Sequence, residues 1–275
     1  MNANTVTRFA PSPTGYLHLG HAYSALLNFK RGNRFLLRIE DIDNTRCKPE
    51  FETAIYEDLA WLGLEWEKPV RRQSDRLGIY AAQLAAWEKQ GLVYRCFKTR
   101  KDIGEAMSAP HASHVAFIGA RLDASEEEER MATGEPWAWR LCMQNALAIT
   151  GSNLTYLEET AEGAIKTVPV NPALYGDVVL GRKDIGTSYH LSCVMDDADQ
   201  GVTLVIRGQD LAEIAGLHTV LFHLLGHTPP VFKHHHLLTD DTGRRLAKRD
   251  KAATLKSMRE AGMQAADILK RLEKA

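Results

Sequence analysis

Short apolar segments alternate with helical patterns along the first 90 residues, and this alternation constrains the fold more than any other feature. The segments Thr5–Ala10 and Phe35–Ile39 have the apolar composition of buried strands. Apolar residues recur at helical spacing from about His18 to Lys30, Pro49 to Leu62 and Ser74 to Gln90. Strands that alternate with helices predict a parallel, doubly wound sheet. We therefore expect an α/β fold of the nucleotide-binding type.

The alternation weakens from about Tyr94 and returns in the second half of the chain. We predict a charged helix at Asp123–Met131, a β-rich stretch at Trp137–Val170, and short strands at Gly176–Gly181 and Tyr189–Asp197. A strong strand, Gly201–Gly208, and a helix, Asp210–Leu225, follow. We interpret the middle as an α+β insertion that splits one Rossmann-like domain. The predicted parts are residues 1–94 and 188–240 for the two halves of that domain, 95–187 for the insertion, and 241–275 for a basic loop and a short helical piece.

Charge and cysteine content exclude several classes of protein. The formal net charge is -1, which argues against a basic grip on nucleic acid over the whole surface. A local basic strip remains, formed by Arg244, Arg245, Lys248, Arg249 and Lys251. The four cysteines form no CxxC pair, which favours a reducing, cytoplasmic setting. The N-terminus has no apolar signal-peptide region, and no apolar run approaches the ~20 residues that span a bilayer.

The first candidate for chemistry is the turn that joins the first strand to the first helix. There, Pro11–Gly15 leads into a helix that opens with His18-Leu19-Gly20-His21. A helix N-terminus offers free N–H groups to phosphate, Gly20 permits close approach, and two imidazoles can donate to phosphate oxygens. The alternative is an amphipathic helix with two capping histidines, which a short motif alone does not exclude.

The second candidate is the basic loop Gly243–Arg249, with the sequence GRRLAKR. A glycine-flanked loop can close on a triphosphate, and Lys248 would bring a mobile positive charge to the departing phosphates. The alternative is a solvated surface loop.

Together the two candidates resemble the HIGH and KMSKS signatures of class I aminoacyl-tRNA synthetases. The segments RFAPSPTGYLHLGHA, LLRIEDID, SYHLSCVMDD and GVTLVIRGQDL resemble the glutamyl/glutaminyl branch in particular. Glutamyl-tRNA synthetases continue into a large anticodon-binding region, whereas this chain ends soon after Arg249. In that respect it resembles the glutamyl-queuosine tRNA(Asp) synthetases, which attach glutamate to the queuosine base in the anticodon of tRNA(Asp).

The resemblance implies L-glutamate, ATP with Mg2+, and queuosine-containing tRNA(Asp) as ligands, and it assigns roles to individual residues. The catalytic, ATP-binding group is His18, Gly20, His21 and Lys248, and the glutamate-binding group is Arg8, Ala10, Ser12, Glu40, Tyr189 and Arg207. Arginine forks suit carboxylates, and a carboxylate suits the ligand's ammonium. Which arginine binds which carboxylate stays open. The alternative for Glu40 and Arg207 is a structural ion pair at the strand ends.

Other polar residues receive weaker interpretations. Asp41 and Asp43 are expected to cap or orient loops, and Ala247 stands where the KMSKS motif usually has serine. Many relatives carry Cys-x-Cys near residue 95 as part of a zinc site. Here the match is Cys96-Phe97-Lys98, so we predict no structural zinc, although His111 and His114 leave a metal site open. The run His234-His235-His236 is interpreted as structural, with His235 pointing away from the other two.

The sequence therefore predicts an enzyme that activates glutamate with ATP and transfers it to queuosine in tRNA(Asp). Two alternatives remain. One is a shortened glutamyl-tRNA synthetase that charges a tRNA 3′ end, and the other is a synthetase-like binding protein without activity.

Overall fold

A computed structural model of the chain describes residues 4–99, 102–103, 116–238 and 253–274. The strands within these ranges are β1 Val6–Phe9, β2 Arg34–Ile39, β3 Glu67–Arg72, β4 Val93–Cys96, β5 Ala138–Leu141, β6 Thr155–Glu159, β7 Ile165–Pro169, β8 Val179–Arg182, β9 Leu204–Gly208 and β10 Val231–His235. The α-helices are α1 Leu19–Arg31, α2 Pro49–Trp61, α3 Leu77–Lys89, α4 Ala124–Ala132, α5 Met143–Thr150, α6 Tyr189–Asp199, α7 Ala215–Leu224, α8 Leu255–Glu260 and α9 Ala265–Glu273. Within the same ranges, 3₁₀ turns span Ser74–Arg76, Pro172–Leu174 and Gln209–Ile214.

Two groups of strands meet side by side at β1 and β9. Strands β1, β2 and β3 pair in parallel on one side, while β9, β10 and β6 pair in parallel on the other, with β7 antiparallel to β6. The groups are joined just before β9, where the backbone N–H of Thr203 donates to the carbonyl of Val6 at 3.0 Å. The strand order reverses at this junction, and such a switch point is where doubly wound sheets bind ligands. The predicted α/β fold with a parallel sheet is confirmed.

The middle of the chain contributes to two different sheets. Strands β4, β5 and β8 form a separate antiparallel sheet, whereas the hairpin β6–β7 extends the larger sheet beyond β10. The predicted insertion at residues 95–187 therefore supplies strands to both sheets, and its bounds stay a prediction.

One predicted strand is wrong. Residues Tyr189–Asp197 form the first nine residues of helix α6, which Ser188 caps by accepting from the N–H of Leu191 at 3.5 Å. Helical spacing turns the fully buried Leu191 and Val194 toward one apolar cluster. A second helix, α5, lies within the stretch that we predicted as β-rich, and it is capped by Gly151, whose φ of 83° favours glycine.

Helix α1 is bound to the strands on both sides of the junction. Its residues Leu19, Ala22 and Leu26 lie in the apolar core, and each fully buried leucine contributes about 2 kcal/mol. Near its other end, the buried Asn28 donates from its side-chain amide to the carbonyl of Ile206 in β9 at 3.1 Å. Its own carbonyl accepts from the Thr7 hydroxyl in β1 at 2.8 Å.

No helix in the part of the chain that the structure describes is long and apolar enough to cross a membrane.

Candidate active site

A cavity of about 420 Å³ opens where β1 and β9 end. Every predicted site residue that the structure describes lines it, namely Arg8, Ala10, Ser12, His18, Gly20, His21, Glu40, Tyr189 and Arg207. The fold explains this convergence, because the carboxyl ends of parallel strands share one edge of the sheet and α1 begins beside that edge. Lys248 lies outside the described residues.

The two histidines of the HLGH turn cap the helix that they begin. The Nδ1 atom of His18 accepts from the N–H of Gly20 at 3.1 Å, and Nδ1 of His21 accepts from the N–H of His18 at 3.2 Å. Their rings lie 3.8 Å apart. Because Nδ1 is the acceptor in both, a neutral ring carries its proton on Nε2. Both histidines therefore cap the helix, and in the neutral form of each ring Nε2 carries the proton.

A buried network of Arg8, Arg38, Asp197 and Glu40 lies at the side of the cavity at β1, and the carboxylate of Asp196 approaches Arg38 to 4.0 Å. Arg8 donates from Nε to both carboxylate oxygens of Asp197, at 3.1 and 3.3 Å. Arg38 donates to Asp197 at 2.7 Å and to Glu40 at 3.1 Å. All four side chains are at least nine-tenths buried. The charge of Arg8 is thus compensated within the protein.

Burial and charge act in opposite directions on the two carboxyls. Burial by itself raises the pKa of Asp197, but the guanidiniums of Arg8 and Arg38 outweigh it and hold that pKa below its usual value. Burial also raises the pKa of Glu40, and there the neighbouring arginines only partly offset it. Asp197 is therefore the firmly ionised member, while Glu40 has remaining capacity for a cationic ligand.

The side at β9 has one arginine, Arg207, and the carboxylate of Asp210 also lines the cavity there. Arg207 is buried, and no acidic side chain in the described ranges lies within ion-pair distance of it. Its Nη1 lies 3.3 Å from Nδ1 of His218, its Nε donates to Nε2 of His234 at 3.3 Å, and its plane lies over the ring of Phe232. Its Nη2 is buried without a hydrogen-bond partner among the described residues.

The histidines around Arg207 have lowered pKa values, which favour their neutral form. Burial, followed by the charge of Arg207, holds the pKa of His218 well below its usual value and lowers that of His190 to about 4. Burial also lowers the pKa of His234, although Glu158 partly opposes this. None of these rings compensates the positive charge of Arg207.

Tyr189 lies between the two sides as the first residue of α6. Its ring centroid is 5.7 Å from those of His190 and His218, and burial raises the pKa of its hydroxyl. The hydroxyl therefore stays protonated and can donate to an anion.

Comparison with known proteins decides which family this arrangement represents. The family model for the catalytic domain of class I tRNA synthetases (E and Q) matches residues 4–274. The chain belongs to this family.

Individual relatives agree with this assignment. Glutamyl-Q tRNA(Asp) synthetase of Rhodobacter capsulatus is 46% identical, over 96% of this chain and 98% of the relative. Glutamate--tRNA ligase 2 of Cereibacter sphaeroides is 35% identical over 96% of this chain, which spans 59% of that relative. Among solved structures, a glutamate tRNA ligase from Elizabethkingia meningosepticum in complex with its amino acid has a TM-score of 0.72 and 28% identity, covering 90% of this chain and 52% of that one.

Within this class I synthetase, the alternative of a structural ion pair at the strand ends holds for Glu40 but not for Arg207. Glu40 pairs with Arg38, and Arg207 has no carboxylate partner among the described residues. Sequence reasoning missed Arg38, Asp197 and His218 at this site, and it assigned His234 only a structural role. Arg38 had one usable signal, since it lies two residues before Glu40 in an extended segment and so points to the same side.

The acidic residues after β2 orient loops of the synthetase, as predicted. Asp41 accepts from the N–H and the hydroxyl of Ser74 at 2.9 and 2.6 Å, at the start of a 3₁₀ turn. Asp43 accepts from the N–H and hydroxyl of Thr45 at 3.2 and 2.6 Å.

The segment that matches the zinc site of relatives, Cys96-Phe97-Lys98, packs against other parts of the protein. Cys96 is buried, and Lys98 lies over the ring of Phe117. His111 and His114 lie outside the described residues, so the absence of structural zinc stays a prediction. Within the described ranges, no cluster of three potential ligands forms.

The three histidines at the end of β10 do not alternate as predicted, with His235 apart from the other two. His234 contacts Glu158 and Arg207, whereas His235 and His236 both contact Tyr23. The strand ends at His235, so alternation does not extend to His236.

The basic loop with Lys248 also lies outside the described residues, but the residues on both sides of it are described. Leu238 lines the cavity. On the other side, Thr254 pairs with His18 in an isolated β-bridge, and Leu255 donates to the carbonyl of Leu17 at 2.8 Å. Both ends of the loop are therefore at the HLGH turn and the cavity.

Proposed function

We propose that this synthetase activates L-glutamate with ATP and transfers it to the queuosine base in the anticodon of tRNA(Asp). The observation that carries the activation step is the buried guanidinium of Arg207 at the cavity. No carboxylate of the described residues lies within ion-pair distance of it, and its Nη2 has no hydrogen-bond partner among them. One carboxylate of glutamate would supply that partner, and Glu40, which also lines the cavity, would accept from the ammonium.

The chemistry follows from what these side chains can hold. Arg207 is the cation available to a ligand carboxylate, and Glu40 is the acceptor available to the ammonium. An oxygen of the glutamate α-carboxylate attacks the α-phosphorus of ATP, and the bond from that phosphorus to the bridging oxygen breaks to release pyrophosphate. Donors at Nε2 of His18 and His21 and the charge of Lys248 stabilise the phosphate oxygens as they gain charge. Mg2+ enters with ATP as part of the nucleotide substrate.

In the second step, a hydroxyl of the queuosine cyclopentene ring attacks the carbonyl carbon of the adenylate. AMP leaves with the bonding electron pair, and the hydroxyl proton is lost to the phosphate or to solvent. The Rhodobacter relative supports this acceptor, because the alignment spans 98% of its length. A wobble base can be unstacked from a single-stranded anticodon loop and placed in such a cavity.

The acceptor is tested with tRNA(Asp) that carries or lacks queuosine. We expect pyrophosphate exchange that depends on glutamate and needs no tRNA, and glutamate transfer only to the queuosine-containing tRNA. Removal of the 3′-terminal nucleotide should not reduce transfer, because the terminal ribose is not the acceptor. Exchange that needs tRNA, or transfer lost with the truncated 3′ end, would instead favour a glutamate–tRNA ligase. Absence of exchange would favour a binding protein.

The contribution of Lys248 is tested separately. Lys248→Ala removes a charge that matters most as pyrophosphate departs, so we expect exchange to slow about 100-fold or more. The KM for glutamate should change much less. Lys251→Ala, in the same basic strip, is the matched control, and an equal loss in both variants would contradict a specific role for Lys248.

A further inference from the structure

Two histidine rings hold the guanidinium of Arg207 from two different elements. His234 lies on β10 directly beside Arg207 in the register of the sheet, and His218 comes from α7. His218 is fully buried, and the side chain of His234 is 5% exposed. Each ring has a further partner on its far side, so the arrangement extends beyond the arginine.

The atoms in contact fix the protonation pattern of His218. A guanidinium has only donors, so Nδ1 of His218, 3.3 Å from Nη1 of Arg207, must be the bare acceptor nitrogen. The proton of the neutral ring then lies on Nε2. That atom is 3.3 Å from Nδ1 of His190, to which it donates.

The pattern is reversed in His234. Its Nε2 accepts from Nε of Arg207 at 3.3 Å, so its proton lies on Nδ1 and is donated to Glu158 at 2.6 Å. One histidine therefore presents Nδ1 to Arg207 and the other presents Nε2. Both act as neutral acceptors.

Neutral acceptors orient an arginine without compensating its charge. On the other side of the cavity, Asp197 both orients and neutralises Arg8. Arg207 is held on Nε and Nη1 and by the ring of Phe232, while Nη2 has no partner in the described part of the chain. Such a group is pre-organised for an anion, since its rotamer is fixed and its charge is unused.

We propose that His218 and His234 are positioning residues that hold Arg207 for one carboxylate of glutamate through opposite ring nitrogens. This inference rests on the proposed function, because glutamate is the ligand that Arg207 would bind. It predicts that the two positions prefer opposite amide substitutes. The amide oxygen of asparagine stands near the place of Nδ1, and that of glutamine near the place of Nε2.

The test is a crossed set of four polar variants, His218→Asn, His218→Gln, His234→Gln and His234→Asn, assayed by glutamate-dependent pyrophosphate exchange. We expect His218→Asn and His234→Gln to keep the KM for glutamate within about threefold of the unsubstituted enzyme. The mismatched His218→Gln and His234→Asn should raise it about tenfold or more, the usual cost of a lost hydrogen bond to a charged group. The KM for ATP and kcat should change little in all four.

The crossed preference separates positioning from a general structural role. If one amide is preferred at both positions, or if the KM for ATP rises together with that for glutamate, the inference is wrong. Thermal melts of the four variants compare their folding. An unsubstituted enzyme without glutamate-dependent exchange would overturn the proposed function and this inference together, whereas normal exchange with an uncrossed pattern would overturn the inference alone.

Discussion

Arg8 and Arg207 line the same cavity, but their surroundings are opposite. Arg8 shares Asp197 with Arg38, so its charge is balanced by a buried carboxylate. Arg207 contacts two neutral imidazoles and keeps its charge unbalanced among the described residues. The difference shows that burial of an arginine does not by itself reveal its role. The hydrogen-bond acceptors around the arginine reveal that role. A carboxylate neutralises the charge within the protein, whereas a neutral acceptor leaves the charge available to a ligand.

The largest effect is expected on stability, when the carboxylate that balances the charges of Arg8 and Arg38 is removed. Asp197→Asn leaves Arg8 and Arg38 buried without their shared carboxylate, and breaking a buried pair costs about 3–5 kcal/mol. Urea unfolding measures this loss. Asp199→Asn, on the exposed end of the same helix, is the matched control and should cost less than about 1 kcal/mol. An equal loss of unfolding free energy in the two variants would contradict a structural role for the Asp197 carboxylate beside Arg8 and Arg38.

The second prediction concerns Arg207, whose replacement should impair glutamate binding more than it lowers stability. Arg207→Gln removes a buried cation without a carboxylate partner in the described ranges, so the free energy of unfolding should change little. The KM for glutamate should rise about 30- to 100-fold, because truncating one partner of a buried charge pair costs 2 kcal/mol or more. Exchange kinetics and urea unfolding of one preparation compare the two quantities. A loss of stability as large as that in Asp197→Asn would remove the contrast between the arginines.

The smallest effect is expected in how the stability of the protein depends on pH through His190. The pKa of His190 is about 4 in the folded protein against an ordinary 6.5, so the unfolded chain binds more protons between these values. Stability from this group is fully present above pH 6.5 and is lost as the pH falls toward 4. Between pH 7 and 5 the loss is on the order of 2 kcal/mol. The pKa of Asp197 lies below its usual value, so its contribution is lost only at more acidic pH.

Urea unfolding at pH 7 and pH 5 checks this prediction. His190→Gln should show a smaller drop than the unsubstituted protein over that range. An unchanged drop would show that His190 does not titrate between the folded and unfolded states as its burial implies.

Sequence patterns could predict the strand-end residues because simple topology brings them together. Arg8, Glu40 and Arg207 each lie at or beside the end of a predicted strand, and parallel strands present those ends at one edge. The acceptors that distinguish the arginines were not predictable in this way. His218 belongs to a helix and His234 to a neighbouring strand, so their contacts depend on how α7 packs against the sheet.

The wrong strand prediction at Tyr189–Asp197 concealed a further part of the site. In a strand, Tyr189, Cys193 and Asp197 would also share a face, but they would extend along the sheet toward its opposite edge. In helix α6, Cys193 and Asp197 lie one turn apart, and both contact Arg8 and Arg38. The helical rise of about 1.5 Å per residue keeps this set compact enough to close one network.

The hydrogen bonds of Asn28 have a mechanical consequence for catalysis. In the proposed function, helix α1 carries the imidazoles of the ATP site and β9 carries the guanidinium of the glutamate site. Asn28 joins the helix to Ile206, adjacent to Arg207, and it does not line the cavity itself. In-line attack tolerates errors of only about 1 Å, so in the proposed reaction this buried amide would help to keep the two substrates aligned without touching either.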